Sequence, residues 1–90
     1  MGYMDIKIKL MPSSVETDLD EIKDNVKIVI ESHDGKGLRF EEEPVAFGLK
    51  AIIISFTIPE NKELEPIEKE LEDLENVASE EMIDMRRAIG

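Results

Sequence analysis

Met4, Ile6, Ile8 and Leu10 alternate with Asp5, Lys7 and Lys9, and this period of two predicts a strand with one buried face. Pro12-Ser13-Ser14 ends it. Thr17 then stands where a helix N-cap is expected, with an acid three positions on at Asp20, a pattern resembling a capping box. Leu19, Ile22, Val26 and Val29 follow at spacings of three and four and predict one helix stripe ending near Ile30. After the turn residues Asp34-Gly35-Lys36-Gly37, Leu38 and Phe40 alternate with Arg39 and Glu41 as a short charged strand, a composition suited to a sheet edge. Between Gly48 and Pro59, Ile52, Ile54, Phe56 and Ile58 share one face, while Ala51, Ile53, Ser55 and Thr57 share the other. Both faces are largely free of charge, which predicts a central strand.

A second helix is expected from about Leu64 to Leu74, striped by Leu64, Ile67, Leu71 and Leu74, with Pro66 in its first turn where a missing N–H costs nothing. Val77 to Arg86 is read as a last strand, although Glu80-Glu81 and the adjacent pair Met82-Ile83 break its alternation. The order strand, helix, strand, strand, helix, strand predicts an α+β, ferredoxin-like βαββαβ fold: a four-stranded antiparallel sheet with two helices on one face. Right-handed crossovers place the first and third strands in the centre and leave the other sheet face open.

Composition narrows the chemistry. Ninety residues suit a single domain, 1–90. Hydrophobic residues make up 41% of the chain, too many for a disordered acidic tail. With no cysteine and only His33, disulfides, thiolate metal sites and cysteine nucleophiles are excluded, and a zinc site is not expected. No apolar stretch reaches the ~20 residues of a membrane span, and the start lacks the pattern of a secretory signal, so the expected location is cytoplasmic. Acidic residues number 22 against 11 basic ones, giving a net charge of -11. That field repels nucleic acid and favours a partner with a basic surface, or serves solubility alone. From Glu60 to Asp84 there are 11 acids and two lysines, a net of -9, followed at once by Arg86-Arg87. These arginines either neutralise the domain's own carboxylates or face a partner.

No catalytic constellation, metal site or cofactor-binding motif appears, so the chain is not expected to be an enzyme. Gly35-Lys36-Gly37 lacks the spacing of a phosphate-binding loop, His33 has no evident partner, and Glu41-Glu42-Glu43 reads as a solvated edge. Acylphosphatases share this size and strand order, but they need an Arg in the loop after the first strand. Here that loop is Met11-Pro12-Ser13-Ser14-Val15-Glu16, with no Arg and with a carboxylate. The most informative segment is Glu43-Pro44-Val45-Ala46-Phe47-Gly48-Leu49-Lys50, an apolar connection among charged loops. Phe47 lies outside every periodic stripe. It is either a lid folded onto the core or an exposed aromatic anchor for a protein partner.

Glu42 to Ala51, with the opening Ile6-Lys7-Ile8-Lys9-Leu10-Met11-Pro12 and the ending Asp84-Met85-Arg86-Arg87-Ala88-Ile89, resembles the archaeal elongation factor 1-beta family over nearly the whole chain. The resemblance implies a ferredoxin-like fold and a guanine-nucleotide exchange factor of translation elongation. Its partner would be the GTPase elongation factor 1-alpha, from which it promotes GDP release so that GTP can bind. Eukaryotic members carry a Gly-Phe-Gly-Ile-Lys stretch whose aromatic reaches the GTPase near its nucleotide. Phe47, Gly48 and Lys50 match it, and Ala46 replaces the first glycine. Those members also end in a lysine that perturbs the GTPase magnesium site. That position falls here on Gly90, which leaves Arg86 and Arg87 as the candidates for a cation supplied from elsewhere in the tail. The resemblance therefore implies partner-binding residues Phe47, Gly48, Lys50, Arg86 and Arg87, no catalytic residue, no cofactor, and a chain monomeric when free. The competing expectation is a stand-alone ferredoxin-like module that binds a small ligand or oligomerises, which needs an enclosed pocket or a sheet-mediated interface.

Overall fold

The computed structural model describes residues 2–88. Its elements run β1 (Tyr3–Pro12), α1 (Leu19–Ser32), β2 (Lys36–Pro44), β3 (Lys50–Pro59), α2 (Glu65–Glu72) and β4 (Val77–Ala88), with a short turn at Ala46–Gly48. The strands form one sheet in the order β2-β3-β1-β4. Every neighbouring pair is antiparallel, with Ile6 opposite Phe56 and Ile8 opposite Ile54 at the centre. This is the α+β, ferredoxin-like arrangement that the strand and helix order predicts.

One core holds it together. Ile6, Ile8 and Leu10 of β1 and Ile52, Ile54, Phe56 and Ile58 of β3 meet Ile22, Val26, Val29 and Ile30 of α1 and Ile67 and Leu71 of α2. All are nearly fully buried, and burying each such side chain contributes about 1.5–3 kcal/mol before conformational entropy is set against it. The β3 residues Ala51 and Ile53, on the opposite face, are buried as well. Two flanking strands screen that face of β3, so its lack of charge follows from its central place in the sheet.

Local chemistry moves several boundaries. Asp18, not Thr17, caps α1: its carboxylate accepts the N–H of Asp20 at 3.0 Å. The Thr17 hydroxyl instead accepts the N–H of Ser14 at 3.2 Å within the preceding loop. Helix α1 runs two residues past Ile30 to Ser32, and β2 begins as early as Lys36. Helix α2 is shorter than its apolar stripe, because Leu64 and Leu74 flank it from outside. Strand β4 extends to Ala88 and contains the cause of its broken alternation. Lys7 pairs with Asp84 and Ile8 with Met82, so Ile83 is an extra residue bulged out of the ladder. The bulge turns Met82 and Met85 both toward the helix side, opposite Ile8 and Ile6.

His33 has a partner after all. As the C-cap of α1, it lies 2.5 Å from Oε2 of Glu70 on α2, a residue 37 positions away that sequence proximity does not suggest. Glu41-Glu42-Glu43 is likewise more than a solvated edge. Lys23 of α1 binds Glu42 at 2.9 Å, and Lys9 of β1 lies 3.4 Å from Glu43. The hydrogen bond and charge of Lys23 hold the Glu42 carboxyl below its ordinary range.

Candidate partner-binding site

The connection between β2 and β3 is closed by backbone bonds. The N–H of Val45 donates to the carbonyl of Leu49 at 2.8 Å, and that of Leu49 to Ala46 at 3.3 Å. Closing the chain so tightly forces two consecutive residues into the left-handed region, Phe47 at φ 63° and Gly48 at φ 77°. Glycine adopts this region freely. Asp34 and Asn76, the other non-glycine residues found there among the described residues, are of types that tolerate it. A phenylalanine does not, and such a residue costs of order 1–2 kcal/mol.

That strain has no packing reward. The Phe47 side chain is 94% exposed, and it touches no core stripe. Of the two roles open to it, lid and anchor, the geometry supports the anchor. Strained backbone concentrates where function requires a side chain to be presented in one direction. Lys50, the first residue of β3, stands at the same end of the sheet, with its ammonium 4.0 Å from Glu42. Phe47, Gly48 and Lys50 therefore form one cluster.

The structure does not bring Arg86 and Arg87 to that cluster. Arg86 is opposite Asp5, and Asp5 is opposite Thr57 near the far end of β3. Seven residues of strand separate Thr57 from Lys50, about 23 Å at ~3.3 Å per residue. Both arginines are held by the protein's own carboxylates. Arg86 Nε lies 3.0 Å from Asp84. Arg87 donates to Oε2 of Glu60 from Nε at 2.9 Å and from Nη2 at 2.7 Å. Their side chains stay about three-quarters exposed, and exposed pairs of this kind are worth only ~0–1 kcal/mol. A partner's carboxylate can therefore compete for them. Gly90, aligned with the eukaryotic lysine, lies outside the described residues.

Two features escaped the sequence reading. Val15, in the β1–α1 loop, is 62% exposed and sits against the Phe47 turn. Its one visible signal is an apolar residue inside the polar run Ser13-Ser14-Val15-Glu16-Thr17. Glu80, which seemed only to interrupt β4, is half-buried and faces Glu68 and Glu72 of α2. Burial first, then the hydrogen bond and charge of Glu68 and the charge of Glu72, push its carboxyl up to about 7. One of its oxygens is buried with no hydrogen-bond partner. Nothing in the residue pattern announces that contact.

The arrangement presents an exposed aromatic at one end of the sheet. No group of three or more metal-ligating side chains occurs among the described residues, and no described helix is long and apolar enough to cross a membrane. A surface depression of about 280 Å³ lies over Ser55 and Thr57 on the helix-free face. Together these features describe a sheet-and-helix module that offers an aromatic side chain to solvent at one end of its sheet.

Comparison with known proteins agrees. Residues 5–88 match the EF-1 guanine nucleotide exchange domain. The chain is 39% identical over 88 residues to elongation factor 1-beta of Methanosarcina barkeri, covering 97% of this chain and 99% of that protein. It is 38% identical to the Methanosarcina acetivorans protein of the same name over the same shares. To that of Methanococcus maripaludis it is 35% identical over 86 residues, 94% of this chain and 97% of the relative. The chain belongs to the EF-1 guanine nucleotide exchange family, and it is a nucleotide exchange factor of translation elongation. That role is regulatory: an exchange factor makes and breaks no bond in its partner's nucleotide.

Proposed function

We propose that the protein acts on elongation factor 1-alpha, promoting release of GDP so that GTP can bind. It would do so in the cytoplasm as a single exchange domain spanning residues 1–90, monomeric when free, with no cofactor and no nucleic-acid contact of its own. The observation that carries this reading is Phe47, strained at φ 63° and 94% exposed. The relatives' name supports the choice of partner.

The mechanism is differential binding. A protein that binds the nucleotide-free GTPase more tightly than the nucleotide-bound form weakens nucleotide by the same factor, because linkage is reciprocal. Weakening it 100-fold requires about 2.7 kcal/mol of differential contact. One central aromatic anchor commonly supplies ~2 kcal/mol or more. Phe47 would insert into the partner, Gly48 would let the backbone approach closely, and Lys50 would meet a partner carboxylate. Arg86 and Arg87, some 23 Å away along the strands by the ~3.3 Å rise per residue, would hold a second part of the GTPase.

Titration calorimetry tests the reading. Elongation factor 1-alpha stripped of nucleotide should bind the protein more tightly than the same GTPase loaded with GDP and magnesium. Equal affinity for the two forms would leave no free energy to drive exchange.

A further inference from the structure

The β1–α1 loop and the Phe47 turn meet, although 32 positions separate Val15 from Phe47. A Cβ placed on Gly48 would lie 3.7 Å from Cγ1 of Val15, ordinary van der Waals contact. Val15 is nonetheless 62% exposed, so it lies beside the base of the turn while showing most of its surface to solvent. The loop that carries it is ordered by its own bonds. The N–H of Ser13 donates to the carbonyl of Asn76 at 2.9 Å, and that of Thr17 to Ser14 at 3.3 Å. The hydroxyls of Ser14 and Thr17 lie 3.3 Å apart. A shallow cleft runs between loop and turn, bordered by Ser14, Val15, Gly48 and Lys50. Charged groups rim the patch: Glu16 on the loop, Lys50 at the start of β3, and Glu42 and Glu43 on β2, the last two paired with Lys23 and Lys9.

We infer that Val15 and Phe47 form one composite docking surface for the GTPase, with Val15 a second apolar anchor that the partner covers together with the aromatic ring. This rests on the exchange-factor reading and extends it to a loop that the aromatic motif does not include. Three observations carry it. Two exposed apolar side chains are presented from separate loops at the same end of the sheet, Val15 beside the turn that carries Phe47, in a domain whose other loops are charged. Both loops are pinned by backbone hydrogen bonds, so little ordering entropy is lost when they are covered. The chain's excess of acid over base, -11 overall, suits a partner surface that is apolar at its middle and basic at its edge.

The surface is tested with Val15→Asp and Val15→Ala, with Phe47→Ala as reference, by titration against nucleotide-free elongation factor 1-alpha and by the rate of labelled-GDP release. V15D should weaken binding about tenfold or more and slow exchange in proportion, with an unchanged thermal midpoint. V15A combined with F47A should lose less than the product of the two single losses, because neighbours under one partner patch couple. The Val15 methyl resonances of the wild-type protein should shift on complex formation, a readout independent of any variant's folding. Wild-type affinity for V15D and unmoved Val15 methyls, beside a strong loss in F47A, overturn the composite surface and leave the exchange-factor reading standing. No loss in either V15D or F47A overturns both. A wild-type protein that dimerises through this patch, with V15D monomeric and fully active, also overturns the inference.

Discussion

Replacing Phe47 separates what its ring does from what its backbone costs. Phe47→Ala removes the ring and keeps a side chain at φ 63°. Because the ring is 94% exposed, the change opens no cavity, and folding stability should stay within ~0.5 kcal/mol of wild type. A core phenylalanine truncated in the same way loses ~3–5 kcal/mol. Phe47→Gly also relieves the left-handed strain, worth ~1–2 kcal/mol. Against that stands ~0.5–1 kcal/mol for the extra freedom glycine brings to the unfolded chain. The net is a protein as stable as wild type or more stable, by up to ~1.5 kcal/mol on those figures. Both variants should lose exchange activity together, by ~2 kcal/mol or about 30-fold in affinity for the GTPase. Urea denaturation and labelled-GDP release on the same preparations read the two quantities side by side. A 3 kcal/mol loss of stability in F47A with full activity of the folded fraction would refute the reasoning, because the ring would then be packing rather than presenting.

Other consequences follow from the same structure. Glu80, with its carboxyl pushed up to about 7, is protonated more readily folded than unfolded, so its contribution is present at low pH and lost as pH rises through 7. Thermal stability should therefore fall between pH 5 and pH 8. Glu80→Gln should flatten that fall, which for this partly exposed group is of order 1 kcal/mol. Leu71, fully buried where α2 meets the core, should cost ~2–5 kcal/mol when changed to Ala, read by urea denaturation. If the -11 charge steers the encounter with a basic partner, stopped-flow association should slow as ionic strength rises, and a rate flat in salt assigns the charge to solubility. Arg86→Ala with Arg87→Ala should leave the melting temperature nearly unchanged, since both pairs are exposed. Exchange should fall most at high magnesium, and wild-type rates across a magnesium titration would remove both residues from the site.

Period and punctuation carried most of the fold into view. The alternation of β1 and β3 and the two helical stripes fix which faces are buried, and burial then dictates the topology. What stayed hidden depended on contacts between distant segments. The Ile83 bulge exists because β4 must stay in register with β1 on both sides of an extra residue, and alternation within β4 alone shows only that something is wrong. The His33–Glu70 and Lys23–Glu42 pairs join elements far apart in sequence. Asp18 rather than Thr17 caps α1 because Thr17 has an alternative partner in Ser14. At the candidate site, the odd placement of Phe47 was legible, but its orientation was not, because a loop aromatic can fold inward or outward with the same sequence. Val15 is inconspicuous in the sequence for a related reason: its significance lies in its neighbour across the cleft, Gly48.

The central claim, that this chain drives nucleotide off elongation factor 1-alpha through the Phe47 end of the sheet, is tested most directly by timing the release of fluorescent GDP from that GTPase as the protein is added in increasing amounts. The release rate should climb with concentration and saturate for the wild-type protein, and stay near the spontaneous rate over the same range for Phe47→Ala. A wild-type protein that leaves the spontaneous rate unchanged, or a Phe47→Ala variant that reproduces the full wild-type curve, would contradict the account.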